Sequence, residues 1–241
     1  MSAVQWTENT VARTSGWLAD TAAPSRIVPA DDRLTARAAL RHARQGTALL
    51  WRGDFVNART LIRDMDRRLP ANADTFAALR TQRAERARLL GAVLVELGPD
   101  YTVALRRAPD VRAACTHAFG PPASALVPLR TLLGALSAYE WHRKGILVPE
   151  AGGRIHPAYG VFAPTRREYL DLVAQHPFPP GATAFDIGTG TGVLAAVLAR
   201  RGARSVVATD SPAAPPPHWN KASTTKTRQC CTRFWTVWVT T

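Results

Sequence analysis

The stretch Phe185-Asp186-Ile187-Gly188-Thr189-Gly190-Thr191-Gly192-Val193-Leu194 decides how this 241-residue chain is read. Residues 182–187 are a short apolar run that follows the turn-forming Pro179, Pro180 and Gly181, the pattern of a buried strand. Residues 193–201 have helical apolar spacing and stop at Gly202, which serves as the C-cap. Residues 205–209 are a second strand. Two strands joined by a helix make a βαβ unit, so the expected fold class is α/β with parallel strands and a right-handed crossover. The glycines fall at the turn from strand to helix. There a missing Cβ lets a ligand approach the backbone and permits dihedrals that other residues resist.

The spacing narrows the ligand. Asp186 closes the first strand, two residues before Gly188. A carboxylate in that place repels a pyrophosphate and attracts an ammonium group. The dinucleotide fingerprint GxGxxG, counted from Gly188, would need a small residue at Val193. The loop is instead GxGxG. No Gly-Lys-Ser/Thr follows, which removes a phosphate-gripping P-loop. Asp210 ends the second strand, eighteen residues after Gly192, where an acidic side chain can accept both hydroxyls of a ribose. The plainer alternative is a structural glycine turn with no ligand.

These residues resemble the first motif of class I S-adenosylmethionine (SAM)-dependent methyltransferases over residues 182–210. The resemblance implies a partial Rossmann-like fold with SAM as cofactor. Gly188, Gly190 and Gly192 would line its methionine end, supported by Asp186, and Asp210 would hold the ribose. Thr189 and Thr191 would add hydrogen bonds in the loop. The preceding Tyr159-Gly-Val-Phe-Ala-Pro-Thr-Arg-Arg-Glu-Tyr-Leu170 is similar to the lead-in helix of the small-domain group. That group includes release-factor glutamine-N5 and rRNA guanine-N2 methyltransferases. It implies that Phe162 and Thr165 cover the cofactor. A plain linker helix over 165–175 is the competing reading.

Upstream, residues 1–30 are mixed and polar and read as a flexible N-terminus. A mostly helical domain is expected over 31–145. Asp31 and Asp32 would cap a first helix ending at Gly46, a second would span 55–69, and a third would run from Asp74 to about Leu97. Arg83, Arg86 and Arg88 on the third read as a solvated face. A short strand over 101–106 and helices over 111–119 and 127–144 would complete it. The partial methyltransferase domain then covers 146–210.

The family pattern stops after Asp210. The small-domain group holds its acceptor nitrogen with an Asn-Pro-Pro-aromatic motif, whereas here Asn220 is followed by Lys221. Residues 211–241 contain no Leu, Asp or Glu but hold Trp219, Trp235 and Trp238, Cys230 and Cys231, and Lys221 and Lys226. Such a switch in composition reads as an aberrant, disordered tail of a truncated or frameshifted gene; the alternative is a natural basic, aromatic tail that stacks on nucleic acid. An edge strand near 234–239 is the one element its alternation suggests. The expected function is SAM-dependent methylation of a nitrogen on a protein (a release factor) or an RNA, impaired in this form. No catalytic residue is named; His142 and His156 read as surface or packing residues ahead of general bases. The alternative function is a SAM- or nucleic-acid-binding module without turnover.

Bulk composition agrees with these expectations and sets bounds. Net charge is +13, carried almost wholly by arginine, which suits an anionic partner such as RNA and equally a GC-rich coding bias. The three cysteines form no CxxC pair and no zinc site, so no metal is expected. A polar N-terminus and no long apolar run point to a reduced, cytoplasmic setting without a membrane span.

Overall fold

The computed structural model describes residues 2–70, 73–163, 166, 168–179 and 181–210, and the backbone of 235–240. They divide between two compact units, Met1–Ser137 and Ala138–Thr241.

The first unit is built on six strands: β1 (Ala3–Glu8), β2 (Val11–Trp17), β3 (Arg26–Ala30), β4 (Thr47–Trp51), β5 (Val93–Leu97) and β6 (Ala125–Pro128). They form one mixed sheet in the order β1-β2-β6-β5-β4-β3. β3, β4 and β5 run parallel; β5 and β6 are antiparallel, as are β1 and β2. The β1–β2 hairpin turns through Asn9 and Thr10, whose φ of 48° and 65° suit the two-residue turn that matches strand twist. Helices α1 (Ala36–Arg44), α2 (Phe55–Arg67), α3 (Phe76–Leu90) and α4 (Arg112–Phe119) and the first half of α5 (Leu129–Lys144) complete the unit. Leu49 and Trp51 of β4 join one core with Leu40, Phe55, Met65 and Leu90 from the helices. Ala48 and Leu50, on the other face, join Trp6, Trp17 and Leu126. The edge strands β1 and β3 contact each other, so the sheet curls around this second core.

This replaces the mostly helical domain expected over 31–145. β4 reads Thr-Ala-Leu-Leu-Trp with every residue buried, the near-continuous apolar run of a strand covered on both faces, which carries no period-2 signal. Helix α3 ends at Gly91, and residues 93–97, assigned by periodicity to the same helix, form β5. β-branched Val93 and Val95 favour that outcome once neighbouring strands are present. Likewise 125–128 is β6, and α5 begins only at Leu129. Residues 101–106 form no strand. Tyr101 has a φ of 64°, and its buried hydroxyl donates to the Pro121 carbonyl at 3.0 Å. The caps also move: Thr35 and Thr75, not Asp31–Asp32 and Asp74, accept the first free N–H groups of α1 and α3. Residues 3–30, expected to be flexible, are β1 to β3, held by Val4, Trp6, Trp17 and Ile27 in the second core.

In the second unit a hairpin, β7 (Ile146–Val148) with β8 (Gly153–Ile155), precedes α6 (Glu168–Gln175), β9 (Thr183–Ile187), α7 (Val193–Arg200) and β10 (Ser205–Asp210). β9 and β10 are parallel, as the βαβ pattern requires. β11 (Trp235–Thr240) pairs antiparallel with β10, which places an edge strand where the alternation suggested one. Disorder was expected over 211–241; 235–240 form β11 instead, and residues 211–234 and 241 lie outside the described residues. Helix α7 packs on one face of the sheet, where Ala184, Ala195, Val206 and Ala208 meet. The opposite face of β9 carries Phe185 and Ile187, 67% and 76% exposed, so among the described residues this strand is covered on one side only.

Candidate functional site

The βαβ geometry brings Asp186 and Asp210 to the C-terminal ends of two adjacent parallel strands, beside the loop that opens α7. Ligands of open α/β sheets bind at that end. All three loop glycines have positive φ: 77° at Gly188, 54° at Gly190 and 77° at Gly192. A non-glycine residue in that region costs roughly 1–2 kcal/mol. The loop is tied to β10 by its backbone, since the N–H groups of Gly188 and Thr189 donate to the Thr209 carbonyl at 2.7 and 2.9 Å.

Asp186 is 7% exposed. Its Oδ2 accepts from the Thr189 hydroxyl at 2.6 Å and from the Ala195 N–H in the first turn of α7 at 3.0 Å. The carboxylate therefore fixes the loop and the helix start together. Asp210 Oδ2 accepts the Gly190 N–H at 2.6 Å, so the second carboxylate is also turned onto the loop. Burial pushes the Tyr169 hydroxyl pKa up, and the negative charge of Asp186 adds to that.

Phe162 sits against the other side of the loop. Its carbonyl accepts the Thr191 N–H at 3.2 Å, and a Cβ added at Gly190 would lie 2.9 Å from that oxygen. Only glycine lets the two backbones meet. Among the described residues, a Cβ at Gly188 or Gly192 would meet nothing within 4 Å, so the loop is open to them there. The Phe162 side chain is 70% exposed and lines a cavity of about 370 Å³ with Trp141, Ile146, Pro157, Ala158 and Val161. Thr165, the other residue expected to cover the site, lies outside the described residues.

No protein-family model matches the chain, and no curated protein matches it.

His142 and His156 come together, their rings 5.9 Å apart and edge-on. Each Nδ1 lies against the other's backbone carbonyl, at 3.2 and 2.7 Å, which gives the pair a packing role. Among the described residues no group of three His, Cys, Asp or Glu could hold a metal, and no helix is long and apolar enough to cross a membrane.

The sequence reading missed a second polar centre, in the first unit. Asp54, 1% exposed, caps α2 through the Val56 N–H at 2.8 Å. Its Oδ2 accepts from Arg106 and Arg107 Nε at 2.9 and 2.7 Å. The Arg107 hydrogen bond holds the Asp54 pKa down at about 2 against the effect of burial, with help from Val56 and Arg106. The guanidiniums come from the loop after β5, more than fifty residues away, so no local pattern signals the cluster. It closes that loop over the start of α2.

Proposed function

We propose that the second unit binds SAM at the Gly188–Gly192 loop and that the chain belongs to a SAM-dependent methylation system acting on a nitrogen of a protein or an RNA. One observation carries the reading. Two carboxylates from adjacent parallel strand ends flank a three-glycine turn that is open at Gly188 and Gly192. The fit follows from charge and shape. Asp186 offers negative charge to the cofactor's amino end, Asp210 stands where ribose hydroxyls would be accepted, and Gly188 and Gly192 leave room for the ligand. SAM would supply the electrophilic methyl group. The protein's part is orientation, which for a displacement reaction outweighs acid–base assistance. The sequence carries no Asn-Pro-Pro-aromatic motif, so no residue is assigned to hold the acceptor.

Calorimetric titration of the whole chain with SAM and with its demethylated product tests the proposal. Micromolar binding is expected. Asp210→Ala should weaken it at least about tenfold, equivalent to ~1.4 kcal/mol. Gly188→Ala should weaken binding more than it lowers stability, because the added methyl enters the open side of the loop. Gly190→Ala should do the reverse, since its methyl meets the Phe162 carbonyl. A folded sample that binds neither compound overturns the proposal.

A further inference from the structure

The +13 net charge is not spread evenly. Residues 1–137 contain 19 Arg, no Lys and 12 Asp or Glu. Helices α1, α2 and α3 hold ten of those arginines and three of the acids, which leaves nine of each for the rest of the unit. The unit's whole side-chain excess of +7 therefore lies on three helices. A coding bias toward arginine would not by itself confine the excess over acids to three helices while the rest of the unit stays balanced.

The three helices form one layer. Each contacts the other two, and their inner sides supply Leu40, Ala43, Phe55, Met65, Leu89 and Leu90 to one core. Arg86 bridges α3 to Asp66 of α2 at 2.7 Å, and Arg88 donates to the Ala43 carbonyl at the end of α1 at 3.0 Å. The acids of the layer are consumed locally: Asp64 by Arg67, Asp66 by Arg86 and Glu85 by Arg88. Seven arginines remain exposed, with no carboxylate within 4.0 Å among the described residues. They are Arg37, Arg41 and Arg44 on α1, Arg59 and Arg63 on α2, and Arg80 and Arg83 on α3. On each helix they recur three or four residues apart, which makes a ridge. Phe76, 74% exposed, stands one turn before Arg80 on the ridge of α3.

We propose that the outer face of this helical layer docks single-stranded nucleic acid. Guanidinium forks match phosphate oxygens in pairs, and ridges on adjacent helices give a strand several successive contacts. An exposed aromatic ring among them is a stacking platform for an unpaired base. A membrane surface fits less well. A helix lying in an interface needs an apolar face toward lipid, and those of α1 and α2 are turned into the core.

Fluorescence anisotropy with the whole chain and a labelled oligonucleotide tests this, using single-stranded RNA, single-stranded DNA and a duplex over a range of salt. Wild type is expected to bind either single strand with a steep salt dependence. Arg41→Gln/Arg63→Gln/Arg83→Gln should lower the slope of log K against log salt by about 2, at about 0.7 per phosphate released. Phe76→Ala should weaken single-strand binding at least about fivefold and leave duplex binding unchanged. Arg13→Gln/Arg26→Gln/Arg130→Gln, off the layer, should change neither. Three results would overturn the proposal: no binding at low salt, equal losses in both arginine sets, or the same residues serving phosphatidylserine vesicles in preference to the oligonucleotide. Loss of SAM binding bears on none of these outcomes.

Discussion

The two units place parallel strands in opposite situations. In the first, β4 lies between parallel neighbours, and both of its faces are buried, one beneath helices and one inside the curl of the sheet. In the second, among the described residues, β9 is an edge strand with α7 on one face and Phe185 and Ile187 exposed on the other. Parallel sheets are normally covered on both sides. The first unit meets that requirement with its own residues, whereas the described part of the second does not. The better-covered sheet and the candidate site are thus in different units. The better-covered sheet has its buried polar cluster spent on closing a loop, and the half-covered one carries the open glycine turn.

The largest effect that could break this comparison is in the first core. Trp51 is 1% exposed, and its indole N–H donates to the Asp54 carbonyl at 3.0 Å. Trp51→Ala should cost about 3–5 kcal/mol, read as a fall in the urea midpoint. A loss below about 1 kcal/mol would mean that β4 is not the centre of a packed sheet.

A smaller effect should come from acid. The folded-state pKa of Asp54, about 2, lies below its usual value near 3.8, so its contribution to stability is complete above about pH 4. It fades as pH falls from about 4 toward 2. Asp54→Asn should flatten that part of the pH–stability curve, measured by circular dichroism during denaturation. An unchanged curve would show that the Arg106 and Arg107 contacts do not hold the charge.

The smallest effect sharpens the contrast from the other side. Ile187→Thr on the exposed face of β9 should shift stability by no more than about 0.5 kcal/mol. A loss of several times that amount would show that this face is covered in solution, and the difference between the units would disappear.

Some of this architecture follows from local pattern and some does not. The span from β9 to β10 was readable because its signals are short-range. A strand, a glycine turn, an apolar helix and a second strand fit within thirty residues, and each glycine has a stereochemical reason to be there. Helices α1 and α2 were likewise visible as amphipathic stripes closed by Gly46 and Pro70. β4, β5 and β6 were not, because a strand buried on both faces has no alternation and, to helical spacing, looks like more helix. Their partners are distant in sequence, so only the assembled sheet distinguishes them.

The same division holds for the candidate sites. The sequence by itself determined the positive-φ glycines, the carboxylates at the ends of β9 and β10, and the excess of arginine. All of these depend on residue type and short spacing. Only the tertiary structure decided that Arg106 and Arg107 are spent on Asp54 and Arg86 on Asp66, which arginines stay exposed, and that Gly190 must be glycine because the Phe162 carbonyl lies against it. The physical reason is that charge pairing and close backbone approach act through space between segments far apart in the chain, and no local period records them.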